Sequence, residues 1–108
     1  MCEFDTLYFG NDGYVARCKS CNHYQIAFVT TVLTVTQQQF NTLQKQVSHK
    51  FEYAVNSNDE NAKNILIPTP CTQVQLCLTK AEVAAFNNML QHADMETKTL
   101  ALLSLFNK

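Results

Sequence analysis

A chain of 108 residues, 46% apolar and 16% charged, is long enough for one core. A domain of that size hides roughly 65% of the surface its unfolded form exposes, and this composition excludes a disordered tail. No apolar run approaches the roughly 18 residues of a membrane-spanning helix, so no membrane partner is expected. Eight Lys and Arg against nine Asp and Glu leave a net charge of −1 with the cations scattered, whereas nucleic-acid binders gather cations to displace counterions.

The opening residues, MCEFDTLYFG, carry neither a basic n-region nor an apolar h-region, which leads to the expectation of a cytoplasmic protein. Its five cysteines would then stay mostly as thiols. FDTLYF (4–9) alternates imperfectly around Phe4, Leu7 and Phe9, and GNDG (10–13) is a hairpin turn signal. YVARC (14–18), HYQIAF (23–28) and the β-branched TVLTV (31–35) read as further strands. Val29 and Thr30 are both poor turn residues, so a turn there and an uninterrupted strand are both open.

Thr36 and Gln39 have the spacing of a capping box, and Phe40, Leu43, Val47, Phe51 and Ala54 follow at helical intervals. A polar loop is expected over 56–61. NILIPTP (64–70) reads as a short strand halted by two prolines, and TQVQLCL (72–78) alternates with Val74, Leu76 and Leu78 on one side. A second capping box, Thr79 with Glu82, opens a helix striped by Val83, Phe86, Leu90 and Ala93. From Asp94 a terminal helix is expected, with Leu100, Leu103 and Phe106 turned inward and Leu102 and Leu105 widening that stripe. The two strand-to-helix passages match at an offset of 43 residues, pairing Leu33 with Leu76, Val35 with Leu78, Thr36 with Thr79, Gln39 with Glu82, Leu43 with Phe86 and Val47 with Leu90. That match raises a strand–helix internal repeat, although any strand feeding a capped helix would look similar. The expected fold is a single α+β domain over 1–108: an antiparallel sheet of about six short strands with two to three helices packed on one face.

The chemically distinctive stretch is RCKSCNHYQ (17–25). Cys18 and Cys21 have metal-ligand spacing, and His23 makes a candidate third ligand. Zinc needs a fourth, and no second C-x-x-C exists in the sequence. Cys71 and Cys77 cannot both serve, because an extended segment would hold them roughly 20 Å apart. At most one of them could join, or else His49 or His92. The competing reading is a structural turn whose cysteines pack as small apolar residues. Dithiol redox chemistry is disfavoured because a strand, not a helix N-terminus, follows Cys21. A Cys21–His23 nucleophilic pair lacks an orienting carboxylate. His49 and His92 fall off the buried helix stripes and read as surface residues, while Tyr8, Tyr14, Tyr24 and Tyr53 read as half-buried with wet hydroxyls. With Gly10 and Gly13 alone there is no phosphate-cradling loop.

Taken together, YVARCKSCNHYQIAF, LTVTQQQFNTL, NILIPTP and LCLTKAEVAAFNNML resemble a family of small uncharacterised Bacteroidetes-type bacterial proteins, a domain of unknown function with a C-x-x-C turn. In that pattern a Gly-Asn turn divides the strands after the cysteines, and here Val29 and Thr30 stand in its place. The resemblance implies the fold and carries no catalytic residue. The function expected is a non-enzymatic binding or regulatory module without a cofactor, acting on an unidentified protein partner or on copies of itself. The alternative is a zinc-binding or thiol-redox protein centred on Cys18 and Cys21.

Overall fold

The computed structural model describes residues 3–54, 62–63 and 65–106; the polar loop expected over 56–61 lies outside them. Strands β1 (Phe4–Gly10), β2 (Gly13–Cys18), β3 (Tyr24–Phe28) and β4 (Thr31–Val35) form an antiparallel meander in chain order. Helix α1 (Gln37–Ala54) follows, then the hairpin β5 (Ile65–Pro68) and β6 (Gln75–Leu78), and last helix α2 (Lys80–Phe106). The strands therefore make two sheets, one of four and one of two, instead of the single sheet expected. Residues Gln75–Leu78 of β6 face the β3–β4 turn across a cleft and do not add to the edge of β4.

The imperfect alternation of the first strand has a definite cause. Pairing runs Phe4↔Cys18, Asp5↔Arg17 and Thr6↔Ala16, then shifts to Tyr8↔Val15. Leu7 is the extra residue of a β-bulge, which re-aims its side chain, and it is buried. Between β3 and β4 the pair Phe28↔Thr31 closes a two-residue turn whose first residue, Val29, has φ 55°. The hairpin forms although a β-branched side chain occupies a left-handed position that such turns normally give to glycine.

Register places Val15, Ile26 and Leu33 side by side, with Tyr24 opposite Val35 on the same face. The helices cover that face. Tyr24 stacks on Phe40 of α1 with ring centroids 4.5 Å apart. Leu43 and Val47 of α1 and Val83, Phe86, Leu90 and Ala93 of α2 are buried as their spacing requires, each large side chain contributing about 1.5–3 kcal/mol. Between the helices Ser48 Oγ donates to Asn87 Oδ1 at 2.9 Å, so the side-chain carbonyl of the buried Asn87 has a partner and the two helices are pinned in register.

Both capping boxes close reciprocally. Thr36 N–H donates to Gln39 Oε1 at 2.9 Å while Gln39 N–H donates to Thr36 Oγ1 at 3.1 Å; Thr79 and Glu82 repeat the arrangement at the same distances. The two strand-to-helix passages thus correspond locally, although one leaves a four-stranded sheet and the other a hairpin.

Other expectations are corrected. Among the described residues there is no separate terminal helix: α2 runs unbroken for 27 residues, because neither Gly nor Pro interrupts it and the Lys98–Asp94 ion pair spans the expected junction at 2.8 Å. Leu103 and Phe106, expected inward, are 51% and 82% exposed. Phe51 and Val74 are also exposed, Val74 because β6 begins only at Gln75. Of the tyrosines, Tyr24 is fully buried and Tyr53 is exposed, while Tyr8 and Tyr14 are half-buried.

Candidate functional site

The cysteine turn is the connection between β2 and β3. Cys18 ends β2, and its N–H donates to the His23 carbonyl at 2.8 Å, closing a loop over residues 19–22. Inside it Asn22 N–H donates to the Cys18 carbonyl at 3.0 Å. Such a tight return requires a left-handed residue, and Asn22 supplies it with φ 59°; asparagine tolerates that region better than other side chains. Lys19 N–H donates to the Glu3 carbonyl at 2.9 Å, so the β1–β2 ladder continues into the turn. The Lys19 ammonium lies 3.3 Å from Asp5.

The turn holds its two thiols in different surroundings. Cys18 is fully buried, whereas Cys21 is exposed. His23 is exposed and its Nδ1 lies 3.1 Å from the Cys21 carbonyl oxygen, a contact in which Nδ1 carries the proton. Strand β3 follows at Tyr24, so the turn leads into a strand and no helix dipole acts on Cys21. Cys71 and Cys77 belong to the other hairpin; both are exposed, and Cys77 Sγ donates to the Lys63 carbonyl at 3.3 Å. Among the described residues no three His, Cys, Asp or Glu side chains gather in a set able to hold a metal ion. His49 and His92 are exposed, as their helical phase requires; His49 lies against Tyr53 and His92 against Tyr8.

Two depressions complete the candidates. One, of about 240 Å³, lies between α1 and the end of β5 and is lined by Gln38, Gln39, Thr42, Gln46 and Thr69 with Leu43 and two prolines. That volume is below the roughly 300–1,000 Å³ of small-molecule sites, and the lining offers amides and hydroxyls but no acid, base or thiol. The other, of about 380 Å³, lies beside the Val29 turn and includes Asp12 and Glu82. The Glu82 carboxylate is already engaged there, by Thr79 N–H at 2.9 Å and by Lys63 Nζ at 3.1 Å. These contacts, led by the Thr79 amide, hold its pKa below the ordinary carboxylate value.

The leucines that widen the last stripe in the sequence lie on an outer surface of α2, which Leu103 and Phe106, expected inward, also join. Its buried residues end at Ala93, and beyond that point Met95, Leu102, Leu103, Leu105 and Phe106 are all more than half exposed. At about 100° per residue Met95, Leu102 and Phe106 share one narrow stripe, about 180° from the buried stripe of Phe86, Leu90 and Ala93. The signal was present in the sequence as leucines at positions that do not fit one face. The outer face of the meander also carries Phe4, Phe9 and Val32 in exposed positions.

Among known families, one of unknown function, DUF6686, matches residues 1–107. The chain belongs to that family. No curated protein and no solved structure matches it. Within this member of DUF6686, no helix among the described residues is long and apolar enough to cross a membrane.

Proposed function

We propose that this DUF6686 protein is a small, non-enzymatic, cytoplasmic binding module that associates with a second copy of itself through the C-terminal half of α2. The observation that carries this reading is the outward stripe of Met95, Leu102 and Phe106, flanked by the exposed Leu103 and Leu105. A helix apolar on nearly all sides belongs in an interior, yet these turns lie outside the core of the chain. Spacing of four and three along Met95, Thr99, Leu102 and Phe106 is that of a helix–helix seam, and an antiparallel pair of such stripes is self-complementary about a twofold axis. Burial would contribute about 1.5–3 kcal/mol for each Leu or Phe covered.

The molecule's shape also supports an exposed arm. Its extents are 52 × 27 × 24 Å and its radius of gyration is 14.6 Å, against about 13 Å for a compact chain of this size. Light scattering over a concentration series tests the reading. A dimer at tens of micromolar that becomes monomeric in the Leu102→Glu, Phe106→Glu double variant is the expected result. A wild-type monomer at high micromolar concentration overturns it.

A further inference from the structure

Strand β4 is an edge of the four-stranded sheet, and its register fixes which of its backbone groups remain unspent. Val29 N–H donates to the Asp12 carbonyl, and the His23 carbonyl accepts Cys18 N–H, so the odd-numbered residues in and around β3 turn their polar groups towards β2. Tyr24, Ile26 and Phe28 alternate with them and bond instead to Val35, Leu33 and Thr31, because bonded and non-bonded pairs alternate along an antiparallel ladder. Val32 and Thr34 therefore aim their N–H and C=O groups away from the sheet. Among the described residues no strand pairs with β4 on that side, and both residues are exposed. The two edges of the sheet also differ. β1 carries the bulge at Leu7, a feature that disrupts a ladder and discourages further pairing. β4 runs in unbroken register, and TVLTV contains neither a proline nor a charge to protect it.

We propose that this edge takes an extended segment of a partner protein as a fifth, antiparallel strand, held by the N–H and C=O groups of Val32 and Thr34. Leu33, between them, is half-buried and packs against the core. The incoming residue opposite Leu33 occupies a non-hydrogen-bonded position, where Cα atoms approach to about 4.5 Å. An apolar side chain there extends the core, and its two neighbours lie beside Val32 and Thr34 on the outer face. The segment that fits is thus uncharged at its centre, β-branched and apolar opposite Leu33. A second copy of this chain fits the edge poorly. Pairing Val32 of each copy with Thr34 of the other sets the second copy's Val35 opposite Thr31. Its α1, which starts at Gln37, is then carried towards Thr30 and Val29. That side is bounded by Gln75–Leu78 across a cleft of about 140 Å³, whereas a helix is about 10–12 Å across. A segment with no helix attached meets no such obstacle. The inference is independent of self-association through α2, because no residue of β4 belongs to that stripe.

Amide hydrogen exchange, read residue by residue by NMR on the purified full chain, is the test. The probe is a blocked peptide of sequence Glu-Thr-Val-Ile-Val-Thr-Glu, and its control carries Gly-Ser-Gly in place of Val-Ile-Val. Without peptide the amides of Val32 and Thr34 should exchange rapidly while those of Leu33 and Val35 are protected. Millimolar probe should slow exchange at Val32 and Thr34 by about tenfold or more, since each amide then exchanges only when the added strand opens. The control peptide should change nothing. Val32→Pro deletes one outward donor without removing a bond from the β3–β4 ladder. It should abolish the effect of the probe at Thr34 while Leu33 stays protected, which shows that the variant is folded. Val32 and Thr34 amides already protected without peptide overturn the proposal, as does a probe that leaves their exchange unchanged or a control that slows it equally. Protection that grows with protein concentration in the absence of peptide assigns the edge to a second copy and overturns the choice of partner.

Discussion

Phe28 of β3 stacks on Phe86 of α2 with ring centroids 4.4 Å apart and planes 13° from parallel. Both side chains are buried, Phe86 completely, so this contact joins the four-stranded sheet to the long helix at the centre of the core. Phe86→Ala should lower unfolding free energy by about 3–5 kcal/mol through lost transfer and the cavity left behind. Urea unfolding of Phe86→Leu, Phe28→Leu and the double variant should yield a coupling of about 0.5–1.5 kcal/mol between the rings. Additive single effects would mean that the stacked geometry itself contributes nothing.

Val29 holds a left-handed backbone conformation at φ 55° on an exposed turn, a state that costs a non-glycine residue about 1–3 kcal/mol. Glycine removes that strain and gives back about 0.5–1 kcal/mol in chain entropy. Val29→Gly should therefore raise the stability of the protein by about 1 kcal/mol, seen as a higher thermal midpoint. A lower midpoint would mean that the exposed valine is held by contacts worth more than its strain.

The two caps differ in charge, and so in their response to acid. Folding lowers the pKa of Glu82 from its ordinary value of 4.5, first through the Thr79 amide and then through Lys63. The stabilisation from this carboxylate is therefore complete above about pH 4.5 and is lost as pH falls through the lower folded value. Glu82→Gln keeps a cap acceptor without the charge. The stability gap between wild type and this variant should close on acidification below pH 4.5, while a Gln39→Glu variant should acquire a pH dependence of the same sign.

Thr79→Ala should cost about 1 kcal/mol, because it removes the acceptor for Glu82 N–H at the start of the longest helix. Chemical denaturation reads this directly, and Thr79→Ser should restore most of the loss.

If α2 pairs with its copy, the denaturation midpoint of the wild type must rise with protein concentration. In the Leu102→Glu, Phe106→Glu variant it should be independent of concentration. At low concentration the two proteins should agree within about 0.5 kcal/mol, since exposed substitutions away from structural features change little.

What could be read from the residues alone was local. Thr36 with Gln39 and Thr79 with Glu82 announce their helices because a capping box is completed within four residues. The bulge at Leu7 and the turn at Val29 were obscure for opposite reasons. One needs the partner strand's register, and the other contradicts the propensity of the residue that occupies it. The division into two sheets depends on where β6 comes to rest beside the β3–β4 turn, which no pattern within either strand encodes. At the cysteine turn, Asn22 is a recognisable residue for a tight return. The approach of β1 is not recognisable, since it follows from a ladder between segments a dozen residues apart.

The uninterrupted course of α2 has one more consequence. Its outer end inherits a fixed azimuth from its inner end, because the packing of Phe86 and Leu90 in the core sets the rotation of every later turn. One alanine inserted after Asp94 would swing Met95, Leu102 and Phe106 around the axis by about 100°, and with them Leu100, which packs against the edge of the core. The helix thus acts as an indexed shaft, and the direction in which the molecule offers its apolar tip is decided some 20–30 Å away.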